Sequence, residues 1–214
     1  MKEIIIRDIK EKDMPLLKSL IIEAFGDGWN LGQHDQRQDY FQALMEVYLS
    51  IFLNSSTFGK IAEFEGKAVG AVLASANEAD RRFRRFQNNI AANTLALLTA
   101  PEAKRMDIVE HLSQSFQAIG QLLENMTNTY DGSLEFIAVS KQAQGLKIGK
   151  MLWDEAVNYF QSQSVKSIYL ISDSACNTGF YDHNGFSKIG ATATEYNYTT
   201  GQKKSNIFVY EYLL

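Results

Sequence analysis

Two glycines at a strand-to-helix junction are the first residues of this chain whose spacing suggests chemistry. Residues 134–139 are mostly apolar, as in a buried strand, residues 140–144 are polar, and from Ile148 the apolar residues recur at helical spacing. Gly145 and Gly149 lie where the loop becomes the helix. Glycine lets a ligand approach the backbone closely, and the N–H groups of a first helical turn lack partners and lie at the positive end of the helix dipole. The junction therefore predicts an anion site, above all for a phosphate.

The spacing excludes the two commonest phosphate motifs. A Walker loop has four residues between its glycines and a Ser or Thr after its lysine, but Gly145 and Gly149 are only four apart and Met follows Lys150. The dinucleotide fingerprint Gly-x-Gly-x-x-Gly is absent. Residues 144–149 (Gln-Gly-Leu-Lys-Ile-Gly), after a strand ending in Ala-Val, instead resemble the acetyl-CoA loop of the GNAT superfamily of N-acetyltransferases, Arg/Gln-x-x-Gly-x-Gly/Ala. Lys147 replaces the middle glycine of that pattern. From this loop alone, an ordinary strand–loop–helix connection is an equal alternative.

A second stretch strengthens the resemblance. Residues 167–173 form a β-branched and aromatic run that predicts a buried strand. The next residues end in Phe180-Tyr181 and Gly185-Phe186, which is similar to the GNAT signature Phe/Leu-Tyr-x-x-x-Gly-Phe at the end of a short helix. Two signatures in the correct order, about thirty residues apart, rarely arise by chance. The chain is therefore identified as a member of this superfamily.

The resemblance implies a binding site for the acetyl donor, acetyl-CoA, and a general acid for the leaving thiolate. Backbone groups of residues 137–139 would bind the pantetheine arm and the thioester carbonyl, and N–H groups of residues 144–150 would bind the pyrophosphate. Tyr181 matches the tyrosine that protonates the leaving thiolate, the alternative being a buried structural tyrosine. Either Ser174 or Asn177 would bond the pantetheine amides. The implied acetyl-CoA site comprises Ile137, Ala138, Val139, Gln144, Gly145, Leu146, Lys147, Ile148, Gly149, Lys150, Ser174, Asn177, Phe180 and Tyr181.

The general base is less well defined by the sequence. Glu135 lies on the fourth predicted strand, where some relatives place a glutamate, and simple alternation puts it on the same face as Ile137 and Val139. A salt-bridged glutamate at the strand edge is the alternative. Further candidates are His34, Asp35 and His183.

The resemblance implies direct transfer without an acyl-enzyme, so no nucleophilic residue is required. Cys176, the single cysteine, is expected to be a small buried apolar residue. No His, Cys or Asp cluster has metal-ligand spacing, and no metal is expected.

The remaining elements agree with such a fold. The chain predicts a strand over residues 3–8, helices beginning near Asp13 and near Tyr40, strands over 57–64 and 68–75, and a final hairpin of 187–198 and 205–214 with its turn at 199–204. The expected fold class is α/β (α+β), a GNAT-type mixed and mostly antiparallel sheet flanked by helices. The whole chain, 1–214, is expected to be one N-acetyltransferase domain.

Residues 77–130 are a predicted helical insertion between the third and fourth strands, divided by Pro101. This insertion either covers the acceptor site or serves as a packing or dimerisation element. Within it, the run Arg-Arg-Phe-Arg-Arg-Phe at 81–86 predicts a helix with buried phenylalanines and solvated arginines more often than a nucleic-acid site, and contact with an anionic ligand group is a third possibility.

Composition narrows the function further. A net charge of −4 argues against a nucleic-acid binder and is compatible with a cationic amine substrate. One cysteine, no signal-like N-terminus and no long apolar run favour a cytoplasmic protein without a membrane partner. We expect an acetyl-CoA-dependent N-acetyltransferase acting on a primary amine of a small molecule, with a homodimer possible. The alternatives are a protein N-terminal or lysine acetyltransferase and a CoA-binding GNAT-fold regulatory module without turnover.

Overall fold

The computed structural model describes residues 3–25, 38–81, 83 and 90–214. Within them, seven strands form one sheet in the order β1-β2-β3-β4-β5-β7-β6. The strands are β1 (Ile4–Asp8), β2 (Phe58–Phe64), β3 (Lys67–Ala76), β4 (Gly132–Val139), β5 (Ser167–Asp173), β6 (Ser187–Tyr198) and β7 (Gly201–Leu213). All neighbouring strands are antiparallel except β4 and β5, which are parallel. The sheet therefore confirms the predicted mixed, mostly antiparallel architecture.

Helices flank this sheet. They are α1 (Met14–Phe25), α2 (Asp39–Ser55), α3 (Ile90–Leu98), α4 (Glu102–Glu124), α5 (Ile148–Ser162) and the short α6 (Gly179–His183). Both α3 and α4 lie between β3 and β4, and Pro101 separates them as its missing N–H and fixed φ require. Among the described residues, no helix combines the length and apolarity needed to cross a membrane.

The predicted final turn was too long. β6 and β7 pair up to Tyr198 and Gly201, so the loop is Thr199-Thr200 and not residues 199–204. The polar residues 202–204 belong to an exposed strand end, where side chains need not be apolar.

Two apolar clusters hold the layers together. On one side of the sheet, α1 and α2 contribute fully buried Leu17, Phe41 and Met45, which share a cluster with Leu73 of β3. On the other side, α5 buries Leu152, Trp153, Ala156 and Phe160 against β3, β4, β5 and β7. The amphipathic spacing of α5 predicted this burial, which fixes the start of α5 near the end of β4.

The parallel pairing of β4 and β5 is very short. It consists of Gly132↔Ile168 and Ser133↔Tyr169, after which the two strands diverge. β4 remains paired with β3 up to Val139, and β5 remains paired with β7 up to Asp173. The sheet therefore opens as a fork, with one edge of β4 and one edge of β5 exposed to the gap.

Helix α4 packs on the β6–β7 hairpin. His111 stacks on Tyr196 with ring centroids 4.8 Å apart, and its Nδ1 lies 2.8 Å from the hydroxyl of Tyr198. The buried carboxylate of Asp107 accepts hydrogen bonds from the N–H and the hydroxyl of Thr199, at 2.6 and 3.0 Å. α4 is therefore a packing element that anchors the end of the hairpin.

We predict that mild acid weakens this anchor. Burial, with a smaller effect of Lys203, lowers the pKa of His111 to about 4, so the fold favours the neutral imidazole. The stability that comes from keeping His111 neutral is fully present above its unfolded pKa, near 6.5, and is lost as the pH falls toward 4. The free energy of unfolding should therefore drop by about 2 kcal/mol from pH 7 to pH 5. Urea unfolding of the wild type and of His111→Gln at both pH values measures it. An equal acid dependence in the two proteins would contradict the assignment to His111.

Candidate functional site

The fork between β4 and β5 contains a cavity of about 730 Å³. Its walls come from the end of α1, from β4, from the loop that leads into α5, from β5 and from α6. The cavity brings together twelve of the fourteen predicted donor-site residues, namely Ile137, Ala138, Val139, Gln144, Gly145, Lys147, Ile148, Gly149, Lys150, Asn177, Phe180 and Tyr181. We call this cavity the fork cleft.

The loop into α5 presents its backbone to the fork cleft. Gly145 has φ of +83° and Lys147 has φ of +59°, so both adopt left-handed conformations. Lys147 is the N-cap of α5, and the first N–H to bond back to it is that of Met151, at 3.1 Å. Within the described chain, the N–H groups of residues 145–150 donate no hydrogen bond to a protein acceptor. Unpaired N–H groups at a helix N-terminus are what an anionic phosphate requires.

Lys147 stands at the middle glycine position of the motif and has a left-handed φ. Glycine would adopt this conformation without the steric cost that an L side chain pays. Lys147 accepts that cost and adds an ammonium group to the loop. Lys141, Lys147 and Lys150 all line the cleft at its loop end, where the ammonium of Lys150 also pairs with Asp154.

Gly149 has a different reason to be glycine. A Cβ added there would lie 3.3 Å from the ring of Phe180. The start of α5 and the start of α6 therefore approach each other closely at this point, and Phe180 closes one wall of the fork cleft.

The edge of β4 supplies further backbone groups. Ile137, Ala138 and Val139 line the fork cleft and pair with β3 on their other side. Because β5 has diverged at this level, the outward N–H and C=O groups of this segment have no strand partner. They are positioned to bind an extended, amide-containing chain such as pantetheine by strand-like hydrogen bonds.

Tyr181 lies on α6 against the aromatic core. Its ring centroid is 5.3 Å from that of Tyr210 and 5.6 Å from that of Phe186. Burial raises the pKa of Tyr181 well above its usual range, the nearby Cys176 adds to the rise, and Ser172 opposes it. The phenol is thus held protonated at the wall of the cleft, as a proton donor must be.

Glu135 lies at an irregularity in β4. Leu73 pairs with Phe136 and the next residue, Ala74, pairs with Leu134, so Glu135 is an extra residue in the ladder. The alternation used to place Glu135 on the face of Ile137 and Val139 therefore does not hold, since Leu134 and Ile137, three residues apart, pack in the same cluster.

Burial raises the pKa of the Glu135 carboxyl. A hydrogen bond from Ser133 Oγ and the positive charge of Arg81 lower it by smaller amounts. Glu135 lines the fork cleft, and its carboxyl charge in turn adds to the raised pKa of Tyr169. A carboxyl group whose pKa is raised toward neutrality suits a general base.

Two predicted donor-site residues do not line the fork cleft. The hydroxyl of Ser174 lies 3.0 Å from that of Ser205, and Ser174 Oγ accepts the N–H of Asn206 at 3.2 Å. These bonds tie Ser174 to β7, whereas Asn177 does line the cleft. Leu146 projects an exposed side chain, although its backbone belongs to the loop.

The other candidate residues have simple placements. His183 is exposed and its Nδ1 donates to the carbonyl of Gly179 at 2.6 Å. Cys176 lines the cleft, and burial together with Asp173 raises its pKa to about 11, which makes it a poor nucleophile. His34 and Asp35, with most of the arginine run, lie outside the described residues. The part of the chain that is described contains no group of side chains able to hold a metal ion.

Several cleft residues were missed by sequence reasoning. Glu23 lines the cleft and its Oε2 accepts the N–H of Lys141 at 2.9 Å, which joins α1 to the loop. Ser172 lines it from β5. Strand alternation in the run 167–173 was the signal that could have placed Ser172, whereas the Glu23 contact spans 118 positions and leaves no local signal. The described residues of α3 and α4 do not line the cleft, which leaves both roles expected for the insertion, a cover over the acceptor site and a packing or dimerisation element, as predictions.

We predict that Lys147→Gly does not lower the free energy of unfolding and raises it by up to about 1 kcal/mol. Glycine adopts the left-handed N-cap conformation without steric cost. Lys147→Ala is the matched control, since it also removes the ammonium but keeps the strained Cβ. Urea unfolding of the three proteins gives the measurement. An alanine variant as stable as the glycine variant would contradict the backbone explanation.

Comparisons with known proteins fit this geometry. Residues 16–186 match the sequence model of the acetyltransferase (GNAT) family. A search of curated protein sequences gives no significant match.

Solved structures share the fold at low identity. A GNAT-family acetyltransferase from Streptococcus pneumoniae is 18% identical, with a TM-score of 0.52 over 99% of this chain and 100% of that one. A ribosomal-protein-alanine N-acetyltransferase from Brucella melitensis is 16% identical, with a TM-score of 0.50 over 98% of this chain and 99% of that one. An N-acetyltransferase from Thermoplasma acidophilum in complex with coenzyme A is 12% identical, with a TM-score of 0.52 and 99% coverage of both chains. Since the family model spans most of the chain, this protein belongs to the GNAT acetyltransferase family.

Proposed function

We propose that this protein is an N-acetyltransferase that moves the acetyl group of acetyl-CoA to a primary amine of a small molecule by direct attack in a ternary complex. The observation that carries the proposal is the fork cleft, which combines unpaired N–H groups over residues 145–150 with a protonated tyrosine and a half-buried carboxyl. The family assignment supports the same reaction.

The donor would lie along β4 and the start of α5. The N–H groups of residues 145–150 and the lysines at the loop end would bind the pyrophosphate, and the free edge of residues 137–139 would bind the pantetheine arm. This arrangement points the thioester toward the closed end of the fork, where Glu135 lies. The solved structure of the Thermoplasma relative with coenzyme A shows that a protein of this fold binds the donor.

Acid and base roles follow from two half-buried groups, Tyr181 and Glu135. Glu135 would take the proton of the acceptor amine, directly or through water, because burial raises the pKa of its carboxyl and so makes it a stronger base. As the amine nitrogen forms the C–N bond and the C–S bond breaks, Tyr181 would give its phenolic proton to the thiolate of CoA. Backbone N–H groups at the edge of β4 would stabilise the oxyanion that develops on the thioester carbonyl.

A small cationic acceptor is favoured by the charge of the cleft, whose volume of about 730 Å³ must also hold the donor. Glu23 and Glu135 both line it, and carboxyl groups favour a cationic amine.

We predict that placing a carboxylate in the loop abolishes donor binding. Isothermal titration should give a micromolar Kd for acetyl-CoA with the wild type, a weaker Kd with Gly145→Gln and no binding with Gly145→Glu, because the added negative charge repels the pyrophosphate. Gly145→Gln carries the same backbone strain without the charge. Gly66→Glu is a second control, since Gly66 has a similar φ of +73°, is equally free of neighbours and lies in the β2–β3 turn.

Three outcomes separate the alternatives. No binding by the wild type, with all variants folded, would contradict the transferase. Binding followed by turnover of a small amine, with Tyr181→Phe retaining the Kd but losing activity about a hundredfold, supports it. Binding without turnover of small amines or peptides would instead favour a regulatory module.

A further inference from the structure

Ser172 is a buried hydroxyl that the proposed reaction does not yet use. It lies near the end of β5, alternates with buried Ile168 and Leu170, and lines the fork cleft. Its side chain is 5% exposed and its Oγ has no hydrogen-bond partner among the described residues. Leaving a buried hydroxyl unpaired is unfavourable because its hydration is lost without replacement. An unpaired hydroxyl in the wall of a ligand cavity therefore calls for a functional explanation.

Ser172 lies beside Tyr181, the proposed proton donor, and beside Cys176. Ser172 pairs with Phe208 of β7, two positions along from the Leu170–Tyr210 pair, so its side chain lies on the same face as Tyr210. Its hydroxyl makes no hydrogen bond of normal geometry, but it lies close enough to Tyr181 and Cys176 to oppose the rise that burial causes in the pKa values of the phenol and the thiol. Another buried hydroxyl without a partner, that of Tyr210, belongs to a ring 5.3 Å from the ring of Tyr181. Thr194, which also has an unpaired hydroxyl, lies on β6 and does not line the cleft.

We propose that Ser172 is a positioning residue for Tyr181, donating a hydrogen bond to the phenol oxygen as Tyr181 passes its proton to the leaving thiolate. This proposal rests on the acetyl transfer proposed above. In that step the amine nitrogen bonds to the acetyl carbon, the C–S bond breaks, the phenolic proton goes to sulfur and the amine proton goes to Glu135. The phenolate that Tyr181 becomes is formed in an apolar surrounding, where a single hydrogen bond from Ser172 stabilises it strongly.

Other groups near Tyr181 are not available for this task. The carboxylate of Asp173 accepts the N–H groups of Ala175 and Cys176, at 2.8 and 3.2 Å, and its negative charge would oppose a phenolate. The thiol of Cys176 is a weak hydrogen-bond donor. Ser172 and Tyr210 are therefore the neighbours whose hydroxyls have no partner among the described residues, and of the two only Ser172 lines the cleft.

The kinetic test compares Ser172→Ala, Ser172→Thr and the control Thr194→Ala. The alanine variant should lose about tenfold in kcat, the value of one hydrogen bond to a charged group, with the Kd for acetyl-CoA unchanged within twofold. The threonine variant retains the hydroxyl and should recover most of the activity. Thr194→Ala also removes a buried unpaired hydroxyl but should keep full activity. An alanine variant with a raised Kd and an unchanged kcat would overturn the proposal in favour of a ligand contact.

A spectroscopic test does not depend on turnover. A fluorinated tyrosine at position 181, whose intrinsic pKa is well below that of tyrosine, titrates while the protein is folded, and its absorbance reports its ionisation. We expect its pKa to rise by about one unit in Ser172→Ala and to stay unchanged in Thr194→Ala, since only the first change removes a donor to the phenolate. An unchanged pKa in Ser172→Ala would overturn the proposal. A wild type that fails to transfer acetyl groups while this shift is present would count against the transferase and leave the Ser172 contact established.

Discussion

The early divergence of β4 and β5 is the constraint on which the site depends. Two pairs of residues, Gly132↔Ile168 and Ser133↔Tyr169, hold the parallel strands together, and each strand then follows its antiparallel neighbour. Gly132 at the closed end can take no side chain, because a Cβ there would collide with the carbonyl of Ser75. A cavity in the middle of a sheet is thus obtained without breaking the hydrogen bonds on the outer sides of the two strands.

The fork also separates the charges that the proposed chemistry needs. The loop end has three lysines and a set of unpaired N–H groups, which favour a phosphate. The walls further in contain Glu135 and Tyr181, and burial favours the neutral form of each by raising its pKa. A tyrosine that is held protonated can give a proton, and a carboxyl with a raised pKa takes one up more readily than an ordinary glutamate, so the two groups suit the two opposite proton transfers of the reaction. Glu135 is positioned by the irregularity in β4, and Tyr181 is positioned by the short helix α6.

Sequence patterns predicted most of the fold because the signals were local. Apolar spacing predicted α5, proline predicted the break at Pro101, and twelve of the residues predicted for the donor site line one cavity. Lys147 departs from the glycine of the motif, and its backbone has the left-handed φ that glycine adopts without steric cost.

Some features of the site could not be read from a local pattern. An extra residue in a strand shifts the alternation without changing composition, so the face of Glu135 could not be read from parity. Of the two alternatives Ser174 and Asn177, only Asn177 lines the cleft, because the Ser174 hydroxyl bonds to β7, thirty-one residues away in sequence. The contact of Glu23 with the loop and the unpaired hydroxyl of Ser172 exist only once the chain has folded.

The central claim is that coenzyme A binds with its pyrophosphate on the loop into α5 and its pantetheine arm along β4. Hydrogen–deuterium exchange with and without saturating CoA tests this claim most directly, because unpaired N–H groups exchange rapidly until a ligand accepts their hydrogen bonds. The account predicts slower exchange in peptides containing residues 136–139 and 144–150, and no change at the β6–β7 turn around Thr199. Exchange that is unchanged over residues 144–150 while CoA is bound would contradict it.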